Sequence, residues 1–227
     1  EGRYLTFDPT GMEVVATYSD GTTAVIDNSK LTFSTVPAVP GAHKVTISSA
    51  NGKTFETEVN VAVSKSQKIT PNPAVFGPED CSAGWWAFFT DDVNIPAGET
   101  REFNFTNYTS GAANWNNWVF ILRKANIVEE YAVVRSDNFG WGAGYDGNPD
   151  LLTSGGQADW ATWLAAMNGA KCTVWVTNCN NGTADIQCIM HGTDGIDYIQ
   201  YYLGIRYVEP SDLFVSFTVD SCHLVFE

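Results

Sequence analysis

The chain consists largely of short runs in which apolar and polar side chains alternate with a period of two, a pattern that predicts β-strands. In its first part, the clearest alternation runs over residues 54–63, and the Asp20-Gly21 pair is typical of a tight hairpin turn. No stretch in this part has helical spacing, so residues 1–65 are predicted to form a small all-β sandwich. The strands expected there lie at residues 12–18, 23–26, 31–34, 42–48 and 54–63.

The second part, residues 79–227, has the same alternation and one exception. Residues 158–169 have helical spacing, with Asp159 near the start of the predicted helix and Gly169 as its cap. Many strands with one short helix predict a larger jelly-roll β-sandwich. The candidate strands are 84–93, 99–108, 118–124, 130–136, 171–177, 184–191, 198–207 and 213–226.

Residues 66–78, between these two predicted domains, contain three prolines, which favour an extended and semi-rigid linker. No apolar run along the chain is long enough to span a membrane. The absence of an initiating Met and of a signal peptide indicates an excised fragment, and we expect a monomeric module within a larger chain.

Charge is distributed unevenly between the two parts. Residues 1–69 carry six Lys/Arg and seven Asp/Glu, whereas residues 70–227 carry six Lys/Arg and 19 Asp/Glu, a balance of −13. A surface this acidic repels phosphate backbones, so nucleic acid is excluded as a partner and a neutral ligand or a cation is favoured. All eight tryptophans lie between Trp85 and Trp175, more than one small core requires, so some are available for a ligand.

The five cysteines, also confined to the second part, leave two alternatives open. An odd count requires at least one free thiol or an intermolecular bond. Buried free thiols and a single disulfide therefore both fit the count.

Side chains in the predicted strands indicate a solvent-facing row of aromatic and polar groups on one sheet. Trp175 shares a strand face with two threonines, Gln200 and Tyr202 share a face of the next strand but one, and Arg135 shares a face that continues to Asp137. Sugars stack their C–H faces on aromatic rings and hydrogen-bond to such polar groups. The alternative is an ordinary solvated face with aromatic cross-strand pairs.

Two glycine- and asparagine-rich segments predict loops that carry further ligand contacts. Residues 137–156 lack clear secondary structure and contain Asn138 and Trp141 among several glycines. Long irregular loops in compact domains are often functional. Trp115, between two asparagines, is expected at a loop tip, and the alternative for Trp141 is that it folds back onto the core.

Carboxylates at the two ends of the second domain suggest a cation site. Glu79 and Asp80 precede the first predicted strand and Asp220 lies in the last, and such strands often pair in a jelly roll. Calcium prefers several oxygen ligands of this kind. The histidines, in contrast, lack metal-ligand spacing.

The two parts resemble known families. The segments "GMEVVATYSDGTTAVID" and "GKTFETEVNVAV" are similar to bacterial immunoglobulin-like domains, which mostly act as spacers. The segments "WWAFFTDDVNIPAGE", "DWATWLAAMNGAKCTVWVTN" and "FTVDSCHLVF" resemble β-sandwich carbohydrate-binding modules of Bacteroidetes. This resemblance implies a structural calcium near Glu79, Asp80 and Asp220, although the Phe-Glu pair usual at the start of such modules is missing.

The function expected from these features is non-catalytic binding of a neutral, β-linked plant polysaccharide, of the β-glucan, mannan or xylan type. The protein would then be part of a secreted or cell-surface glycan-degrading system, and binding itself requires no cofactor. Motifs for nucleophilic catalysis or phosphate binding are missing from the sequence. The alternatives are a structural or protein-interaction module of the adhesin kind, and a small polysaccharide lyase or hydrolase with two carboxylates.

Overall fold

The chain divides into two compact units, Glu1–Ser64 and Lys65–Glu227. Both consist mainly of antiparallel strands, so the prediction of an all-β protein is confirmed. The computed structural model describes residues 4–38, 41–61, 65–78, 88–110, 116–123, 130–136, 151–154, 159–206 and 213–227. Trp115, Asp137, Asn138, Trp141, Glu79 and Asp80, all proposed from the sequence, lie outside these ranges.

The smaller unit contains three small sheets around a core of Leu31, Val36, Val45 and Ile47. One sheet pairs β1 with β5, another pairs β2 with β3, and the third has the order β4-β6-β7. All strands that the alternation predicts are present, while the two-residue strands β1 and β5 escape prediction because they are too short to show a period. The strands are β1 (Tyr4–Leu5), β2 (Val14–Thr17), β3 (Thr23–Ile26), β4 (Leu31–Phe33), β5 (Val36–Pro37), β6 (Gly41–Ser49) and β7 (Thr54–Val61).

The conformation of the turn between β2 and β3 is explained by the residues Asp20, Gly21 and Thr22. Gly21 has a φ of 84°, a left-handed conformation that glycine adopts without steric cost. The carboxylate of Asp20 accepts hydrogen bonds from the backbone N–H and the hydroxyl of Thr22, at 2.9 and 2.6 Å. These bonds lower the pKa of Asp20 below its ordinary value.

The larger unit is a sandwich of two sheets. The smaller sheet has the order β10-β18-β12-β13, and the larger has the order β14-β17-β16-β15-β11-β19-β9, with β8 pairing alongside β11. In chain order the strands are β8 (Ser66–Lys68), β9 (Val75–Phe76), β10 (Val93–Ile95), β11 (Thr100–Thr109), β12 (Asn117–Arg123), β13 (Glu130–Arg135), β14 (Leu151–Ser154), β15 (Ala170–Asn178), β16 (Thr183–His191), β17 (Asp197–Arg206), β18 (Leu213–Asp220) and β19 (Cys222–Phe226).

Three of these strands correct the predicted organisation. Residues 66–78, predicted to be a linker, contribute β8, which pairs in parallel with β11, and β9, which pairs with β19. Residues 137–156, predicted to be irregular, contain β14, which pairs with β17. In both places a short strand is held by backbone hydrogen bonds to a longer neighbouring strand. Such pairing does not require the side chains of the short strand to alternate, so the sequence pattern does not reveal it.

The core between the two sheets is strongly aromatic. The ring of Phe217 in β18 lies 5.3 Å from that of Phe103 and 5.5 Å from that of Phe105, both in edge-on geometry. Phe120 and Phe226 pack against the same ring at 5.0 and 5.1 Å. Each of these side chains is at most 6% exposed, so the contacts join the two sheets directly.

The predicted helix is present as α1 (Trp160–Met167). Asp159 is its N-cap, with the side chain accepting a 2.9 Å hydrogen bond from the backbone N–H of Thr162. Trp163 is fully buried in the core, and the amide of Asn107 in β11 donates to the carbonyl of Met167 at 3.0 Å. The helix is therefore anchored to the core at the end of β11. Within the described ranges, none of the helices combines the length and apolarity that crossing a bilayer requires.

Candidate functional site

Strand β15 of the larger sheet has the alternation that the sequence predicts. Its side chains at positions 172, 174 and 176 are buried in the core. Those of Thr173, Trp175 and Thr177 are half-buried on the opposite side. The sheet thus presents a tryptophan, flanked by two hydroxyl groups, on its non-core side.

Strand β11 continues this surface. Thr100, Glu102 and Asn104 are half-buried and alternate with Phe103 and Phe105 of the core. The antiparallel register pairs them with Thr177, Trp175 and Thr173 of β15, respectively. We call the surface formed by these six half-buried residues the outer face. It consists of Thr100, Glu102, Asn104, Thr173, Trp175 and Thr177.

Hydrogen bonds fix the side chains of the outer face relative to one another. The indole N–H of Trp175 donates to Glu102 Oε2 at 3.0 Å, and Ser66 in β8 donates to the same oxygen at 2.5 Å. The Asn104 amide donates to Glu102 Oε1 at 2.8 Å, and the Thr173 hydroxyl donates to Asn104 Oδ1 at 2.8 Å. The Trp175 ring is therefore held by its polar edge, and five side chains form one network.

The network determines the charge state of Glu102. Burial alone raises the pKa of this carboxyl, but the hydrogen bonds from Asn104, Ser66 and Trp175, helped by the charge of Lys68, outweigh burial and lower the pKa below its ordinary value. Glu102 is therefore ionised at neutral pH. The outer face combines one carboxylate with neutral donors, acceptors and an aromatic ring, which suits the hydroxyl groups of a neutral ligand and disfavours an anionic one.

Gln200 and Tyr202, predicted on the exposed row, instead lie between the sheets. Both side chains are fully buried, and the Gln200 amide donates to the carbonyl of Ser136 at 3.2 Å. The expectation that they face solvent is wrong because both sides of β17 are covered, since Tyr201 on its other side is only 4% exposed. A strand that is buried on both sides has no polar side. The positions of its tyrosines therefore do not indicate which side faces solvent.

A bulge in β17 adds to this failure. Ile186 pairs with Tyr202, but Ala184 pairs with Ile205, so β17 has one more residue than β16 at this point. Gly204 occupies the bulge with a φ of 73°, and its N–H donates to Asp185 Oδ1 at 2.7 Å. Beyond the bulge the faces are exchanged, so a strict period of two does not hold along the whole strand.

Arg135 lies in the other sheet from Trp175. Its neighbour Val134 is buried in the core, so alternation places Arg135 on the side of β13 that is turned away from the larger sheet. Arg135 and Trp175 are thus on opposite outer sides of the sandwich. The row predicted from the sequence is therefore only partly assembled: Trp175 lies on the outer face with Gln187 of β16 as its register partner, whereas Gln200, Tyr202 and Arg135 lie elsewhere.

Asp220, predicted as a metal ligand, is buried at the end of β18. It is the register partner of Asn117 in β12, and both side chains are fully buried. Among the residues that the structure describes, none is a hydrogen-bond partner of the amide oxygen or nitrogen of Asn117. In the described ranges, no three His, Cys, Asp or Glu side chains converge as a metal-ligand group. The carboxylate and the amide oxygen are nevertheless donors of the type that calcium prefers.

The four described cysteines are free thiols: Cys172, Cys179, Cys188 and Cys222. For these residues the free-thiol alternative is confirmed, while Cys81 is outside the described ranges. Burial raises the pKa of Cys172, Cys188 and Cys222, and it raises that of Cys179 to about 11. Thiols whose pKa is raised in this way are protonated at neutral pH.

Glu102 and Asn104 are members of the site that were not predicted from the sequence. Both belong to a segment in which polar residues alternate with Phe103 and Phe105, so the signal was present. Their pairing with Trp175 and Thr173 depends on the strand order, which a single sequence does not reveal.

Comparison of the chain with protein-family models finds no match, and comparisons with curated proteins and with solved structures find none either. The geometry of the outer face is therefore the basis on which a function is proposed.

Proposed function

We propose that the larger unit is a non-catalytic carbohydrate-binding module whose outer face binds a neutral polysaccharide. The observation that carries this proposal is the half-buried Trp175 ring, held at its polar edge by Glu102 and surrounded by hydroxyl and amide groups. An aromatic ring beside paired polar groups is the combination that sugar rings require. Asn104 and Thr173 supply an amide and a hydroxyl group on the same face of the two strands.

The pre-ordering of these groups favours binding. Side chains that are already fixed by hydrogen bonds lose little conformational entropy when a ligand is bound. The face lies on the central strands of a sheet, a more rigid support than a loop. The ligand class expected from the sequence, a β-linked plant polysaccharide of the β-glucan, mannan or xylan type, belongs to this proposal. The proposal also includes the expectation that the module is part of a secreted or cell-surface protein that degrades glycans.

Affinity electrophoresis of the full chain tests the proposal. Gels containing β-glucan, mannan or xylan are compared with a gel containing polygalacturonate, and calorimetry then measures the affinity for the glycan that retards the protein. We expect retardation by at least one neutral glycan and none by the acidic one, because Glu102 is ionised. Trp175→Ala should weaken binding by about tenfold or more, the scale of losing a central aromatic contact.

Phe55→Ala is the matched control, because Phe55 is also an aromatic side chain on a sheet surface, 42% exposed, but in the smaller unit. It should bind like the wild type. Failure of every neutral glycan to retard the protein would contradict the proposal. Release of reducing ends from any of them would identify a lyase or hydrolase instead.

A structural calcium near Asp220 is a further part of the proposal. It is supported by the buried, unpartnered amide of Asn117 beside the Asp220 carboxylate, with Glu79 and Asp80 proposed as additional ligands. Calcium should raise the melting temperature of the EDTA-treated protein, magnesium should raise it less, and Asn117→Leu should abolish the difference. Equal melting temperatures in calcium and in EDTA would contradict the calcium site and leave the glycan site untouched.

A structural or protein-interaction module is the second candidate, and one observation in the smaller unit favours it. Val15 and Val25 are direct partners in β2 and β3 and are 52% and 62% exposed. An exposed apolar pair of this kind suits contact with another protein. Retention of a surface protein by the wild type, lost in Val25→Lys, together with indifference to every glycan, would favour this function over the first.

A further inference from the structure

A second aromatic group lies on the same side of the larger sheet as Trp175. Tyr108, near the end of β11, is the register partner of His223 in β19, and their rings stack with centroids 4.9 Å apart and planes at 15°. Tyr108 is 39% exposed. Alternation along β11 places it on the side of Glu102 and Asn104, away from the phenylalanines of the core.

The register gives the separation of the two aromatic groups. Glu102 is the cross-strand partner of Trp175, and Tyr108 lies six residues further along β11. At about 3.3 Å per residue, this corresponds to about 20 Å along the strand. That span is far longer than one sugar ring, so a single ring can contact only one of the two groups at a time.

The surface between the two aromatic groups is suited to an extended polar ligand. Next to Trp175, Asn104 and Thr173 present an amide and a hydroxyl group. Further along, Thr106 is only 9% exposed, so its side chain is covered by its neighbours and is not itself a contact for a ligand. A ligand that spans both aromatic groups therefore passes over this covered position, between Lys171 of β15 and Val225 of β19, which are the register partners of Thr106.

We infer that Tyr108 and His223 form a second stacking platform, and that the ligand is an extended oligosaccharide chain that lies along β11 from Trp175 to Tyr108. This inference rests on the proposed function. Two platforms on one rigid sheet act together on a ligand that reaches both, because binding at the first raises the effective concentration of the chain at the second. Affinity therefore increases with chain length until the ligand spans both platforms, and a monosaccharide binds at only one.

Calorimetry of the full chain with cello-, manno- and xylo-oligosaccharides, from monosaccharide to hexasaccharide, tests this inference. For the wild type we expect the hexasaccharide of the preferred series to bind at least tenfold more tightly than the disaccharide. Tyr108→Ala should lose about tenfold for the hexasaccharide and leave the disaccharide unchanged, which removes most of the length dependence. Tyr108→Phe, which keeps the ring, should retain it.

Tyr18→Ala is the matched control, because Tyr18 is an exposed tyrosine of the smaller unit, and it should behave like the wild type. If the circular dichroism spectrum shows that Tyr108→Ala is unfolded, His223→Ala is used in its place. This variant removes the stacked partner and keeps Tyr108, and it should also reduce the length dependence of the affinity. A wild type that binds disaccharide and hexasaccharide equally, or a folded Tyr108 variant with unaltered length dependence, would overturn the second platform while the glycan site at Trp175 stands. Retention of no glycan at all would overturn the proposed function itself.

Discussion

The indole N–H of Trp175 donates to Glu102 Oε2 at 3.0 Å, and the two residues are direct partners in neighbouring antiparallel strands. The hydrogen bond holds the ring by its edge. Replacing Trp175 by Phe keeps an aromatic ring and removes the donor, so Trp175→Phe should bind glycan with an affinity between those of the wild type and Trp175→Ala. Calorimetry measures all three. An affinity for Trp175→Phe equal to that of Trp175→Ala would mean that ring area makes no separate contribution.

Glu102 links the network of the outer face to pH. Its pKa is lower in the folded state than in the unfolded chain, so the stabilisation it provides is present above the unfolded-state value of about 4.3 and is lost as the pH falls through the lower folded value. Because the carboxyl is partly solvated, the effect should stay below about 1 kcal/mol. Urea denaturation at a series of pH values between 3 and 7 should give a steeper loss of stability for the wild type than for Glu102→Gln, and parallel curves would refute this role.

The bulge in β17 depends on the hydrogen bond from Gly204 to Asp185. Asp185→Ala leaves the N–H of Gly204 without its acceptor and should lower the free energy of unfolding by about 1–2 kcal/mol. Asp185→Asn keeps an acceptor oxygen and serves as the matched control, with a smaller loss. Chemical denaturation measures both, and a loss for alanine no larger than that for asparagine would indicate that the bulge is held by other contacts.

Phe217 is the ring on which both sheets of the larger unit converge. Its truncation in Phe217→Ala should leave a cavity that the neighbouring rings cannot fill and should cost about 3–5 kcal/mol. Phe217→Leu should cost less, because it retains more of the volume. Thermal and urea unfolding provide the values, and Phe55→Ala, which removes an exposed ring in the smaller unit, should be close to neutral. A loss below about 1 kcal/mol for Phe217→Ala would be incompatible with this packing.

The buried thiols report on the opening of the same core. Cys172, Cys188 and Cys222 are at most 2% exposed, so a thiol reagent should modify them only when the larger unit unfolds. Mass spectrometry after timed exposure to a maleimide should show their modification rising with urea in parallel with global unfolding. Rapid modification of all three in native buffer would contradict the described core.

The sequence was sufficient to predict which side chains face the core wherever a strand has one polar and one apolar side. In β15, alternation correctly placed Trp175 opposite to the core, and in α1 the cap at Asp159 and the helical spacing located the helix. It failed in β17, because Gln200 and Tyr202 are polar-tipped side chains in a strand that is buried on both sides and interrupted by a bulge. Periodicity reports a contrast in burial between the two sides of a strand, and from Gln200 to Leu203 this strand has none.

The assembly of the candidate site was beyond the reach of the sequence for a different reason. Arg135 and Trp175 both lie on outward sides of strands, but in different sheets, and only the strand order separates them. The same strand order brings Glu102 to Trp175 and His223 to Tyr108 across large separations in sequence. Such pairings are non-local and leave no trace in the local pattern of either strand.

Within the larger unit, the early strand β9 is paired with the last strand β19, with Phe76 directly beside Leu224. The first and last parts of the larger unit are thus neighbours in the same sheet. The positions of the strands in the sheets therefore do not require that the chain begin and end at this place. A circularly permuted version, joined across this seam and opened at the turn between β15 and β16, is compatible with the same packing. The proposed glycan-binding surface could in this way be grafted into another protein by insertion, as well as by fusion end to end.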